Sequence, residues 1–320
     1  MLHLTDTPPP IIQQEMQALS DVLDRQIPPK ILDRNLLIAT WNIRAMSDIT
    51  PKWVAGEDDS PARDLHALLG IAHIIERFDV VAIQEVRGKL EAFNQLMDWL
   101  GEYWSFILTD VTKGASGNGE RMAFIFDTRR VRLSGLAGEL VVPKEELGGI
   151  GSDALQEQFA RTPYAVSFRA DQTTFILVTL HILYGDDAQA RIPELKKIAE
   201  WLADWAKDGN AFHRNFIALG DFNIDERGDL LHQTFVSEGL FIPEDLAAVT
   251  RSIFDEDKFY DHIAWFAGAN RTPKLTMEYL QGGNFDFVPH LLTRRGLTKR
   301  KMSWMISDHY PLWAEFSLRD

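Results

Sequence analysis

The chain has 320 residues, is 45% hydrophobic and carries a formal net charge of −14. It is globular and long enough for a large core, and its excess of acid excludes a broad electrostatic grip on nucleic acid. The absence of cysteine excludes disulfides and thiolate zinc sites and suits a reducing compartment.

The first thirty residues show no basic start followed by an apolar core, and no stretch approaches the roughly 18 apolar residues of a membrane span. A cytoplasmic protein without stable membrane association is expected, and protein partners are left open. Residues 1–34 read as an N-terminal helical extension. Thr7-Pro8-Pro9-Pro10 precedes a helix over 11–26, in which Ile12, Met16, Leu19 and Leu23 mark one apolar face. Pro28-Pro29 ends it. That face suits packing on the body of the protein; an arm for a partner is the alternative.

From residue 35 to 320 a single domain is expected, with strands and helices in succession. Residues 35–40 form an apolar strand, 61–77 a helix, 80–83 a buried strand and 89–100 a second helix. Strands follow at 103–109 and 121–127, joined by a glycine-rich loop at 113–120. Two more, at 164–168 and 174–180, flank a polar turn. A helix over 188–206 leads to a strand at 215–219. The stretch 288–303 carries Arg294, Arg295, Lys299, Arg300 and Lys301, and the last strand is 312–316. Hairpins mixed with strand–helix pairs imply two packed mixed sheets with helices outside.

Six short segments end in polar residues: Thr40-Trp41-Asn42-Ile43-Arg44, Ile83-Gln84-Glu85-Val86-Arg87, Thr179-Leu180-His181, Leu219-Gly220-Asp221-Phe222-Asn223, Tyr260-Asp261-His262-Ile263 and Ser307-Asp308-His309-Tyr310-Pro311. Most follow an apolar run, so each reads as a buried strand with its chemistry at the C-terminal end, and six together suggest one site. Phosphodiester hydrolysis needs a cation on the phosphate oxygens, an activated water and a proton for the leaving oxygen. Glu85, just past an apolar strand, suits a hard cation. Asp221 and Asn223 share a strand face if the strand continues, although Gly-Asp-x-Asn also fits a turn capping the next element. His181 and His309 are proton carriers, and Asp261 suits His309 better than its chain neighbour Asp308, because adjacent residues seldom face each other. His3, His66, His73, His213, His232 and His290 lack such a context and read as structural. Ser307-Asp308-His309 cannot align as a serine-hydrolase relay, and the loop at 114–119 lacks the Gly-Lys-Ser/Thr of a phosphate-binding loop.

In order and spacing the six motifs resemble the endonuclease/exonuclease/phosphatase superfamily over residues 35–320. The resemblance implies a deoxyribonuclease-like α/β fold, a four-layer α/β/β/α sandwich of two packed mixed sheets. It implies that Asn42 and Glu85 bind metal and phosphate, and that Asp308 is a further metal carboxylate. Asp221 and Asn223 would align phosphate and nucleophile, Asp261 would orient the catalytic His309, and Arg161 would approach phosphate. His181 stands where the deoxyribonuclease branch has a second histidine. Asn42-Ile43-Arg44 and Gln84-Glu85-Val86-Arg87 look like the pancreatic-type branch, whose two arginines, here Arg44 and Arg87, enter the DNA minor groove. The expectation is an Mg2+-dependent endonuclease on DNA, with Mn2+ or Ca2+ as substitutes. Inositol phosphates, phospholipids or small nucleotides are the alternative substrates of the same catalytic set.

Overall fold

The computed structural model describes residues 2–111, 119–141, 161–182, 188–208 and 215–318. The glycine-rich stretch at 113–118 and His213 lie outside the described residues. Two six-stranded sheets face each other, each with one parallel pair near its centre. In the first sheet, β1 (Asn35–Met46) runs parallel to β2 (Val80–Arg87). Antiparallel partners complete it: β3 (Trp104–Leu108), β4 (Glu120–Asp127), β11 (Glu278–Asn284) and β12 (Leu312–Ser317), in the order β11-β12-β1-β2-β4-β3. In the second, β7 (Thr173–His181) runs parallel to β8 (Phe216–Ile224). It is completed by β5 (Arg132–Glu139), β6 (Tyr164–Ala170), β9 (Leu240–Phe241) and β10 (Phe259–Phe266), in the order β5-β6-β7-β8-β10-β9.

Three apolar clusters separate four layers. Leu36, Ile38, Val80, Ala82, Leu177, Ile217, Leu219 and Ile263 fill the space between the sheets. On the outer face of the first sheet, Leu37, Ala39, Trp41, Val81 and Ile83 meet α1 (Pro10–Gln26), α2 (Leu65–Ile75) and α3 (Glu91–Leu100). On the outer face of the second, Ile176, Val178, Phe216 and Phe222 meet α4 (Ala188–Lys207) and α5 (Leu230–Val236). Two shorter helices, α6 (Glu244–Ala248) and α7 (Lys299–Met305), sit near the sheet ends. The expected helix face of α1 is buried, with Ile12, Met16, Leu19 and Leu23 all in the outer cluster. Burying side chains of that size is worth roughly 1.5–3 kcal/mol each. No helix among the described residues is long and apolar enough to cross a membrane.

Strand alternation fixes what the interior can contain. Side chains of one parity face the partner sheet and those of the other face the helices. The inter-sheet rows therefore continue from Leu36 and Ile38 to Thr40 and Asn42, and from Val80 and Ala82 to Gln84. In the other sheet, Phe175 and Leu177 lead to Thr179 and His181, and Ile217 and Leu219 lead to Asp221. At one end the apolar filling gives way to polar side chains from both sheets. Gln84 Nε2 donates to Thr179 Oγ1 across the gap at 2.9 Å, joining the sheets just below the polar end.

Two of the six motifs are oriented differently from the expectation. Asp261 lies near the start of β10, and Asp308 and His309 precede β12. Both strands run antiparallel to the central strand beside them, so their N-terminal ends reach the edge where β1 and β8 finish. Asp261 pairs in register with Asp221.

Candidate active site

The strand ends depart from regular geometry where the polar residues sit. The β1–β2 register shifts between Asn42 and Met46, and the β2–β4 register shifts between Ile83 and Val86. Such bulges re-aim side chains at a sheet edge. Ala45, Glu85 and Asn223 adopt left-handed backbone, with φ of 47°, 62° and 50°. Non-glycine residues there cost of order 1–3 kcal/mol and persist only where surroundings hold them. Glu85 is held by its own carboxylate, whose Oε2 accepts from Ala45 N at 2.9 Å and Oε1 from Asn42 Nδ2 at 3.3 Å. Gly220 is required for another reason. A Cβ there would lie 2.0 Å from the Leu180 carbonyl oxygen, so only glycine lets β8 run beside β7 and deliver Asp221 next to His181.

Asp221 is the centre of the site. Its Oδ2 accepts from Asn42 Nδ2 at 3.0 Å, and its Oδ1 accepts from the Asn223 backbone N at 3.0 Å. Asn223 does not simply share a strand face with Asp221, because its left-handed backbone breaks the alternation; its Nδ2 donates to the Ile182 carbonyl. Two imidazoles converge on Asp221 Oδ2, with His181 Nε2 at 3.7 Å and His309 Nε2 at 3.8 Å. Each is backed by a second carboxylate. His309 Nδ1 lies 2.7 Å from Asp261 Oδ2, and His181 Nδ1 lies 3.1 Å from Glu120 Oε2. Burial opposes a charge on His309, but the carboxylates of Asp261 and Asp221 outweigh it and hold the imidazole pKa well above its ordinary value. The fully buried Asp261 carboxyl is pushed upward by burial, against the pull of His309.

Glu120 was not singled out in the sequence. It gathers three basic groups: Arg161 Nε at 2.7 Å and His181 Nδ1 at 3.1 Å on Oε2, and Arg87 Nη2 at 3.2 Å on Oε1. Burial works against its ionisation, yet the close approach and charge of His181 and the charges of Arg161 and Arg87 hold the carboxyl down at about 2. The available signal was a charged pair, Glu120-Arg121, opening the apolar run Met122-Ala123-Phe124-Ile125-Phe126. Arg251 was also missed. It is fully buried, and its guanidinium donates to the carbonyls of Asp261, Val249 and Leu246, while its own carbonyl accepts from Tyr310 N. It therefore fixes the backbone on both sides of the Asp261–His309 pair.

Arg44 and Arg87 are engaged within the protein. Arg44 Nη1 donates to Asp308 Oδ2 at 3.0 Å and to Ser303 Oγ at 2.9 Å. Arg87 bridges Glu120 and Glu85, 3.8 Å from the latter. Arg161 is buried against Glu120. The structure thus joins Asn42, Glu85, Arg87, Glu120, Arg161, His181, Asp221, Asn223, Asp261 and His309 into one contiguous set, with Arg44 and Asp308 as a separate pair beside His309.

Two places suit a cation. Asp221, Asp261 and His309 offer ligand atoms within 4.8 Å of one another, although Asp261 Oδ2 and His309 Nδ1 are already committed to each other. The second place is marked by Asn42 Oδ1, a buried carbonyl oxygen without a hydrogen-bond partner, on the side chain that also contacts Glu85. A buried orphan of this kind costs about 1–3 kcal/mol unless something satisfies it. The amide nitrogen of the same side chain contacts Glu85 and Asp221, and its uncommitted oxygen could serve a hard divalent ion as one ligand.

The profile of the Endonuclease/Exonuclease/phosphatase family matches residues 39–309. A deoxyribonuclease of Thioalkalivibrio sp. (strain K90mix) is 30% identical over 298 residues, which cover 88% of this chain and 71% of that protein. Among solved structures, an endonuclease/exonuclease/phosphatase family protein from Bacteroides thetaiotaomicron superposes with a TM-score of 0.58 at 19% identity, covering 88% of this chain and 95% of that one. The human Nocturnin catalytic domain, solved with a bound sulfate anion, gives 0.57 at 15% identity, covering 90% and 95%. At such identities the structural likeness speaks to the fold alone.

Proposed function

Because the chain belongs to the endonuclease/exonuclease/phosphatase family, we propose that it is a divalent-cation-dependent phosphodiesterase, and that it cuts DNA internally. The reading is carried by two carboxylate-backed histidines that face one buried aspartate oxygen, Asp221 Oδ2. Asn42 and Glu85 would hold the cation; the family resemblance adds Asp308, whose carboxylate pairs with Arg44. Their all-oxygen donor set suits Mg2+, with Mn2+ or Ca2+ as substitutes. When bound, the cation neutralises phosphate charge and polarises a phosphoryl oxygen.

The remaining chemistry belongs to the side chains. Asp221, steadied by the Asn223 backbone amide and the Asn42 amide, orients the attacking water. His181 Nε2 takes the water's proton while Glu120 holds the ring by Nδ1. His309 Nε2 delivers a proton to the leaving oxygen while Asp261 fixes its ring and balances its charge. General acid–base assistance of this kind contributes typically 10²–10⁴-fold. Arg161 and Arg87 keep positive charge beside the phosphate position, and Arg44 stands next to it through Asp308.

DNA is favoured by the named activity of the Thioalkalivibrio relative and by Arg44 and Arg87 at the site mouth. The net charge of −14 supports a second reading, in which the same set acts on inositol phosphates, phospholipids or small nucleotides. A substrate panel separates the two: duplex and single-stranded DNA, RNA, abasic DNA, inositol phosphates and sphingomyelin, each with Mg2+, Mn2+ and Ca2+. Turnover of DNA well above the other substrates is expected. Turnover confined to inositol phosphates or sphingomyelin would overturn the DNA assignment.

A further inference from the structure

From Phe287 to Ser307 the chain contains no Asp or Glu, while Arg294, Arg295, Lys299, Arg300 and Lys301 all fall within it. In a protein with net charge −14 this is a reversal of sign along the chain, although Arg295 is committed to Asp64 at 2.7 Å. Its C-terminal part is α7, capped by Thr298, whose hydroxyl accepts from Lys301 N. Met302, Ser303 and Met305 are buried and hold the helix to the body. Arg300, Lys301 and Trp304 stand at i, i+1 and i+4, and all three are exposed. They share the outward face of the helix.

Trp304 is 47% exposed, and the Arg44 guanidinium carbon sits 3.9 Å from its ring centroid. Arg44 in turn bonds Asp308, the neighbour of His309. One face of the indole is therefore occupied by a residue of the site mouth. No other aromatic ring packs on it among the described residues. A basic helix face ending in an open indole, continuous with a phosphoester site, has the composition of a surface that grips a strand. Cations track the phosphates and a ring accepts a base.

We propose that α7 binds the nucleic-acid strand leaving the hydrolytic centre, with Arg300 and Lys301 on its phosphates and an unpaired base stacked on the outer face of Trp304. This rests on the nucleic-acid reading above and adds a preference for single-stranded or frayed substrate. The same chemistry on an anionic lipid surface is less well matched. The apolar side chains of α7 point inward, leaving a single ring to insert.

The test is anisotropy of a short fluorescein-labelled single strand and of the matching duplex, in EDTA so that neither is cut, with the full chain. Trp304→Ala is expected to weaken single-strand binding on the order of tenfold, the loss of about one base stack, with a much smaller change on duplex. Trp304→Phe should retain most of the affinity. Arg300→Gln with Lys301→Gln should flatten the salt dependence of single-strand binding by roughly 1.4 in log–log slope, about 0.7 per phosphate contact. Equal weakening on strand and duplex, or none, overturns the proposal. So does loss of Trp304→Ala co-sedimentation with phosphatidylcholine–phosphatidylserine vesicles while oligonucleotide affinity stays unchanged. Wild-type protein that cuts duplex DNA but shows no Trp304-dependent strand binding sinks this inference and leaves the nuclease reading intact. Trp304-dependent strand binding without cleavage of any nucleic acid does the reverse.

Discussion

Replacing Glu120 with Gln removes a carboxylate that faces Arg161, His181 and Arg87 at once. The residue is 2% exposed, so solvent screens these charges little. Its carboxyl is held at about 2, against an ordinary value of 4.5. A folded-state pKa below the unfolded one stabilises the fold above the unfolded value, and the gain is lost as pH falls through the folded one. At about 1.4 kcal/mol per tenfold change, the interval is worth about 3 kcal/mol at neutral pH, of which roughly 2 kcal/mol is gone by pH 3. Gln cannot ionise, so the variant lacks that dependence. Urea unfolding of wild type and Glu120→Gln at pH 7, 5, 4 and 3 should show a gap of about 3 kcal/mol at pH 7, narrowing by roughly 2 kcal/mol at pH 3. A gap independent of pH, or a variant as stable as wild type at pH 7, would refute the assignment of Glu120 as the anion of this cluster.

Asp261→Asn should lower kcat by about 10²–10⁴ and also lower the thermal midpoint, because the buried His309 loses both its orientation and its carboxylate partner; steady-state kinetics beside a melting curve checks this. Asn42→Ala removes the buried amide oxygen and should raise the Mg2+ concentration for half-maximal activity by at least roughly tenfold, read from a metal titration after EDTA treatment. Arg251→Met strands three buried carbonyls at about 1–3 kcal/mol each, so its urea midpoint should fall steeply; a variant with wild-type stability would show that Arg251 does not fix the Asp261–His309 backbone.

The central strands and their polar ends were legible because a period of two carries through them. Leu36, Ile38, Thr40 and Asn42 form one inward row, and the switch from apolar to polar can be read in the letters. Asp261 and His309 were legible as residues but not as placements. Their strands run antiparallel to the neighbours that carry Asp221 and Asn42, and one segment alone does not declare its direction. Two edge strands were hidden for a different reason. β5 (Arg-Leu-Ser-Gly-Leu-Ala-Gly-Glu) and β11 (Glu-Tyr-Leu-Gln-Gly-Gly-Asn) are half-exposed and glycine-rich, and are ordered by pairing with β6 and β12 rather than by their own propensity. Glu120 and the buried Arg251 depend on partners remote in the chain, Arg161 and His181 in one case and the backbone around Asp261 in the other. Glu120 opens an apolar run, but nothing local to either residue names its partners.

The most direct measurement is conversion of supercoiled plasmid to the nicked circle by wild type and by Asp221→Asn, each with Mg2+ and with EDTA. The geometry around Asp221 Oδ2 predicts nicking by wild type with Mg2+ alone, and none by Asp221→Asn under either condition. Intact plasmid with folded, Mg2+-loaded wild type, or undiminished nicking by Asp221→Asn, would contradict it.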